Sequence, residues 1–134
     1  MDLVVDTSAL VAIINGEPEA AEFLGILISA DRICMSVATA HELNCVMQRY
    51  RHDDGQRLLD GLLQSLDPEL ISFDLAQLEI ARAAYVLYGR GTGHRAGLNM
   101  ADCYSFALAK ALDLPLLYKG NDFIHTDVIA ANSL

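Results

Sequence analysis

The chain has 134 residues, of which 53% are hydrophobic and 20% charged, and a formal net charge of −9. That length fits one domain, residues 1–134, with one real hydrophobic core, and the composition excludes a disordered chain. The acidity argues against a general nucleic-acid binder, which carries a basic face, and leaves room for a basic partner or a narrow basic rim.

In chain order, Leu3-Val4-Val5 before Asp6 reads as a short strand buried on both faces, as strands of parallel sheets are. No basic leader precedes it, and the longest apolar stretches, such as residues 24–28, are too short to span a bilayer. A cytoplasmic location with no membrane association is expected. Thr7 and Ser8 start a helix to about Ile14, Asn15-Gly16 ends it, and Pro18 opens the next, to about Ile28. Residues 33–36 form the second strand. A long helix follows over 37–50 and another over 56–66, stopped by Pro68, before a third short strand at 70–72.

Asp74 caps a helix whose apolar positions Leu75, Leu78, Ala81, Tyr85 and Tyr88 keep helical spacing. The glycine-rich stretch 89–97 is a flexible loop. Asn99 caps a helix to about Leu112 that is apolar almost all round, hence central. Residues 115–118 form a fourth strand, and Val128-Ile129 a weak fifth. Strands alternating with helices imply a single α/β domain with a central parallel sheet of four to five strands flanked by helices. Cys34, Cys45 and Cys103 are odd in number and lie in apolar segments, so buried free thiols are expected. They and His41, His52, His94 and His125 lack zinc-site spacing.

Four acids carry the chemistry. Asp6 follows the first strand, Glu42 lies one to two turns into the helix after the second, Asp102 opens the apolar helix, and Asp122 follows the fourth strand. In a parallel α/β sheet the carboxyl ends of the strands meet at one crevice, where ligands bind. Each acid also has an ordinary reading: Asp6 as a helix cap, Thr39-x-x-Glu42 and Asn99-x-x-Asp102 as capping boxes, and Asn121-Asp122 as a turn. Four such caps need not all follow strand ends, however. Converging carboxylates repel by about 4 kcal/mol per close pair at an effective dielectric near 20. A hard, oxygen-seeking cation such as Mg²⁺, with Mn²⁺ able to substitute, would relieve that repulsion.

Such a site suits a metal-dependent phosphodiester hydrolase. With two ions, one activates a water and the other stabilises the leaving oxygen. Asp6 and Asp102 are the first choice as direct metal ligands. Asp122 would complete the shell, directly or through water, and Glu42 would orient or deprotonate the attacking water. Ser8 and Asn99 would support the ligands. Arg95, Lys119, His94 and Arg90 offer positive charge to RNA phosphates, with Arg95 and Lys119 as the substrate-binding pair; the plain alternative is ordinary solvated charge. Tyr85 and Tyr88 are expected to pack rather than stack on bases.

The segments Val4-Val5-Asp6-Thr7-Ser8-Ala9-Leu10, Glu42 in its helix, Leu98-Asn99-x-x-Asp102-Cys103, and Lys119-Gly120-x-Asp122-Phe123 followed by Thr126-Asp127 resemble the PIN-domain ribonucleases. Within them the chain is most similar to VapC-type toxins of toxin-antitoxin modules, over essentially its whole length. The resemblance implies a Mg²⁺- or Mn²⁺-dependent endoribonuclease acting on RNA and neutralised by a cognate VapB-type antitoxin. It also implies a homodimer and a toxin-antitoxin hetero-oligomer. It maps Asp6, Glu42, Asp102 and Asp122 onto the catalytic acidic quartet, with Asp127 as an accessory acid. A second reading is a receiver-type phosphoacceptor domain using Asp6, Asp74 and Lys119. It leaves Glu42, Asp102 and Asp122 without roles, and Val5 stands where receivers carry an acid.

Overall fold

A computed structural model describes residues 1–133 of the chain. Four strands, β1 (Asp2–Val5), β2 (Arg32–Ser36), β3 (Glu69–Ile71) and β4 (Leu116–Leu117), form a parallel sheet in the order β3-β2-β1-β4. β1 therefore has neighbours on both sides, pairing Leu3 with Ile33 and Val5 with Leu117. Its Leu3, Val4 and Val5 are all buried, which accounts for an unbroken apolar run in place of an alternating one.

Six helices cover the two faces: α1 (Thr7–Ile14), α2 (Ala20–Ser29), α3 (Val37–Tyr50), α4 (Gly55–Leu66), α5 (Leu75–Tyr88) and α6 (Met100–Leu112). On one face Leu3 and Val5 pack with Leu10 of α1, Phe23 and Leu27 of α2, Leu43 and Met47 of α3, and Leu59 of α4. On the other, Val4 and Cys34 pack with Ala81 and Ala84 of α5 and with Phe106 and Leu108 of α6. α6 is buried along most of its length, so an all-round apolar sequence fits it. Among the described residues, no helix is long and apolar enough to cross a membrane.

Local chemistry sets the helix starts near the crevice. Ser36 Oγ accepts from the Ala38 amide and begins α3, so Thr39 and Glu42 do not form the capping box their spacing suggests. Asn99 and Asp102 do form one, with both reciprocal hydrogen bonds present. α4 and α6 end on Asp67 and Asp113 at φ of 48° and 54°, a conformation that Asp tolerates better than most residues.

Three expectations need correction. The fifth strand is reduced to one bridge between Leu116 and Ala130, because β4 spans two residues and offers no longer ladder. The second helix begins at Ala20, with Pro18 and Glu19 in the preceding turn. Cys45 is exposed: helical spacing turns it away from the face carrying Leu43 and Met47, and it stands 3.7 Å from His41 on the outside of α3.

Candidate active site

Asp6 leaves the end of the central strand and caps α1. Its amide donates to the Leu117 carbonyl at 3.0 Å, tying it to β4. Its carboxylate is 4% exposed and fully engaged. Oδ2 accepts from the Ser8 amide at 3.1 Å and the Ser8 hydroxyl at 2.7 Å, and Oδ1 accepts from Ser105 Oγ at 2.5 Å. Glu42, in the second turn of α3, is half-buried, and its Oε1 accepts from Thr7 Oγ1 at 2.5 Å. Asp102 sits in the first turn of α6, 9% exposed, with Oδ2 accepting from the Asn99 amide at 2.9 Å. Asp122 lies exposed on the turn after β4, two residues beyond Gly120, whose φ of 104° favours glycine.

Electrostatics joins the four. The Asp102 carboxyl is pushed up to about 7, first by burial and then by the charges of Asp6 and Asp122, against the opposing bond from the Asn99 amide. Burial also raises Glu42; the Thr7 hydroxyl opposes that shift and the Asp6 charge adds to it. Asp6 is thus the hub, felt by Glu42 on one side and by Asp102 on the other. Two buried acids beside a third disfavour their ionised forms, and a bound cation would reverse that balance.

The donor set fits a hard divalent ion of one kind. Among the described residues, no three Asp, Glu, His or Cys side chains close into a metal-holding cage. Mg²⁺ is commonly held by one or two carboxylates, with water and substrate phosphate in its other positions. Asp102, which feels the charge of Asp6, and Asp6 itself have the donor chemistry of such a pair.

A family model described as PIN domain matches residues 3–129. The chain belongs to the PIN domain family. Ribonuclease VapC30 of Mycobacterium tuberculosis is 45% identical over 127 residues, which is 94% of this chain and 95% of that protein. Ribonuclease VapC42 of the same organism is 42% identical over 126 residues, 94% and 96% of the two chains. Among solved structures, VapBC2 from Rickettsia felis, bound to a DNA fragment from its promoter, has a TM-score of 0.75 at 18% identity, covering 97% of this chain and 96% of that one. Mycobacterium tuberculosis VapC20, a sarcin-ricin loop cleaving toxin, also has a TM-score of 0.75, at 16% identity and with 95% and 96% covered. These two share the fold.

The positive rim of this PIN domain differs from the one expected. Lys119 is clamped by Glu17 at 2.6 Å and Glu19 at 3.0 Å, and these carboxylates hold its ammonium above the usual lysine range. It ties the turn before α2 to the segment leading to Asp122, and its amide donates to Ser8 Oγ at 3.0 Å. Of nine Lys and Arg residues, Arg49, Arg57, Arg90 and Arg95 have no ion-pair partner among the described residues. Arg90 and Arg95 stand exposed on the loop entering α6, whose neck is closed by the Arg90 amide on the Leu98 carbonyl and the Leu98 amide on the Tyr88 carbonyl. His94 turns inward, with Nδ1 accepting from the Ala96 amide and its ring edge-on to Tyr88. Tyr88 also packs on Phe106 as expected, whereas Tyr85 is 42% exposed and does not, its hydroxyl donating to the Arg90 carbonyl.

Asp127 pairs with Lys110, eight residues and so about 12 Å along α6 from Asp102. The hydroxyls of Thr7 and Ser105 were not legible as site groups in the sequence. The one signal for Ser105 is a small polar residue, three positions after Asp102, on an otherwise apolar helix face.

Proposed function

We propose that residues 1–134 form one PIN domain acting as the toxin of a type II toxin-antitoxin module, an endoribonuclease in the cytoplasm that hydrolyses RNA with Mg²⁺, Mn²⁺ substituting. The carrying observation is the pair of buried carboxylates, Asp6 and Asp102, at the carboxyl end of the central strand, in a chain 42–45% identical to VapC ribonucleases over 94% of its length. When bound, the ion supplies a water of lowered pKa and a counter-charge for the scissile phosphate.

The chain's own groups do the rest. Asp6 and Asp102 would hold the ion. Glu42, whose carboxyl burial makes more basic, orients or deprotonates the attacking water. Asp122, exposed and adjustable, completes the hydrogen-bonded water shell. Ser8 and Asn99 hold Asp6 and Asp102 in place. Arg95, with Arg90, meets RNA phosphates at the rim; Lys119 braces the Asp122 segment instead of touching substrate.

A VapB-type antitoxin is the proposed partner, in a hetero-oligomer built on a toxin homodimer. Solved relatives of this fold include a toxin-antitoxin complex from Klebsiella pneumoniae, with a TM-score of 0.69. An open acidic crevice suits inhibition by an antitoxin Arg, whose rigid fork bridges two carboxylates. The receiver reading loses its supports: Asp74 Oδ1 is occupied by the Gln77 amide as a helix cap, and Lys119 is occupied by Glu17 and Glu19.

The deciding experiment incubates purified protein with RNA and millimolar Mg²⁺ or Mn²⁺, against EDTA and against acetyl-phosphate labelling. Metal-dependent cleavage that EDTA stops is expected. Labelling without cleavage would overturn the nuclease reading.

A further inference from the structure

Ser105 is 1% exposed and Thr39 is 0% exposed, yet each carries a hydroxyl beside the acidic centre. Ser105 Oγ lies 2.5 Å from Asp6 Oδ1, and Thr39 Oγ1 lies 3.2 Å from Ser105 Oγ. A hydroxyl has one proton to give, and an ionised carboxylate only accepts. Ser105 therefore donates to Asp6, and its contact with Thr39 must run the other way, with Thr39 donating and Ser105 accepting. The result is a one-directional chain from α3 through α6 to the end of β1, with each hydroxyl committed.

That chain supplies what the rest of the site does not. Asp6 Oδ2 is held by the amide and hydroxyl of Ser8, two donors from its own helix start. Donors on one oxygen leave the carboxylate plane free to swing, because the terminal torsion of Asp is broad. Ser105 holds the second oxygen from a different element and so fixes the plane. Thr39 in turn fixes the rotor of Ser105, whose proton would otherwise have other directions to point.

We propose that Ser105, backed by Thr39, is the positioning residue that orients the Asp6 carboxylate toward a divalent cation and sets the affinity for that cation. The inference rests on the reading of Asp6 as a metal ligand given above. Outer partners of metal-bound carboxylates are generally worth about 10- to 100-fold in metal affinity or activity. A merely structural hydroxyl pair would instead be worth stability alone.

The test titrates Mn²⁺ into the full chain without RNA and reads free Mn²⁺ by electron paramagnetic resonance, with cleavage rates measured alongside. Ser105→Ala is expected to weaken Mn²⁺ binding about 10- to 100-fold. It should lower kcat at subsaturating metal while leaving KM for RNA unchanged. Thr39→Val, which keeps the shape and loses the hydroxyl, should weaken binding by a smaller factor, and Thr39→Ser should restore it. The double variant Thr39→Val with Ser105→Ala should bind no worse than Ser105→Ala alone, since Thr39 acts only through Ser105. Should Ser105→Ala fail to fold, the Thr39→Val and Thr39→Ser pair carries the test. Mn²⁺ affinity in folded Ser105→Ala within twofold of the parent overturns the proposal, as does full additivity in the double variant. Asp6→Asn separates the two levels. If it abolishes Mn²⁺ binding while Ser105→Ala does not weaken it, only the positioning role fails; if it leaves Mn²⁺ binding intact, the ligand assignment falls as well.

Discussion

Asp6 and Asp122 bear the same functional group and follow adjacent strands, β1 and β4, yet their surroundings are opposite. Asp6 is 4% exposed and takes three hydrogen bonds; Asp122 is exposed on a turn and takes none from the protein among the described residues. A carboxylate at the end of a strand with neighbours on both sides is fixed before any ligand arrives. One on a turn adjusts to what binds. In the proposed site the buried acids set where the cation sits, and the exposed acid adapts to its water and substrate.

The comparison is most directly broken by paired substitutions. Asp6→Asn should lower RNA cleavage by several kcal/mol of transition-state stabilisation, roughly 10³-fold or more, with far-ultraviolet circular dichroism unchanged. Asp122→Asn should cost at least about tenfold less, because a water-mediated group is easier to replace. Equal losses in matched kinetic assays would mean that burial does not rank these acids.

Asp102 sharpens the same contrast through pH. Its carboxyl lies near 7 in the folded chain and near 3.8 when exposed, so the folded state holds the extra proton between those values. Metal-free stability should therefore fall as pH rises from about 4 to about 7 and level off above, by up to a few kcal/mol. Asp102→Asn should flatten that slope in urea melts and be at least as stable as the parent at pH 8. A variant that melts earlier at pH 8 would show that Asp102 contributes more as a cap than it costs as a buried charge.

Metal should act in the opposite sense. A cation binding only the native state at a hundredfold excess over its Kd adds about 2.7 kcal/mol. Thermal melts should shift upward with Mg²⁺ or Mn²⁺ in the parent and in Asp122→Asn, but not in the Asp6→Asn, Asp102→Asn double variant. The smallest effects belong to the rim. Arg95→Ala should raise KM for RNA a few-fold and flatten its salt dependence, since each phosphate contact adds to the salt slope. Lys119→Met should leave that slope alone and change stability little, as its pairs with Glu17 and Glu19 are partly exposed.

What the sequence revealed followed from periodicity and punctuation. The apolar run before Asp6, the caps at Asp74 and Asn99, and the all-round apolar helix over 100–112 each had one cheap physical interpretation, and the structure has that form. The four acids were readable because strand ends in a parallel sheet share a crevice. Two ordinary readings were also true: Asp6 does cap α1 and Asp102 does complete a capping box, so the same side chains serve local structure and the site together. The weak fifth strand was misjudged because pairing length depends on the partner, and β4 has two residues to offer. The Lys119 clamp and the Ser105 contact join residues about a hundred positions apart, and no local pattern encodes such meetings.

The placement of β1 in the middle of the sheet has a consequence for the order in which the molecule comes into being. Among the described strands the first is completed by the last, since Val4 pairs with Leu116 and Val5 with Leu117, and the Lys119 amide reaches back to Ser8. At roughly 5 to 20 residues per second, the interval between synthesis of the two partners is on the order of 6 to 20 s. Closing so long a loop is slow relative to the local helices that form between. Throughout that interval Asp6 lacks the Leu117 carbonyl that anchors its amide. The strand order makes the surroundings of Asp6 depend on residues from distant parts of the sequence, so the proposed site cannot be complete before β4 is in place.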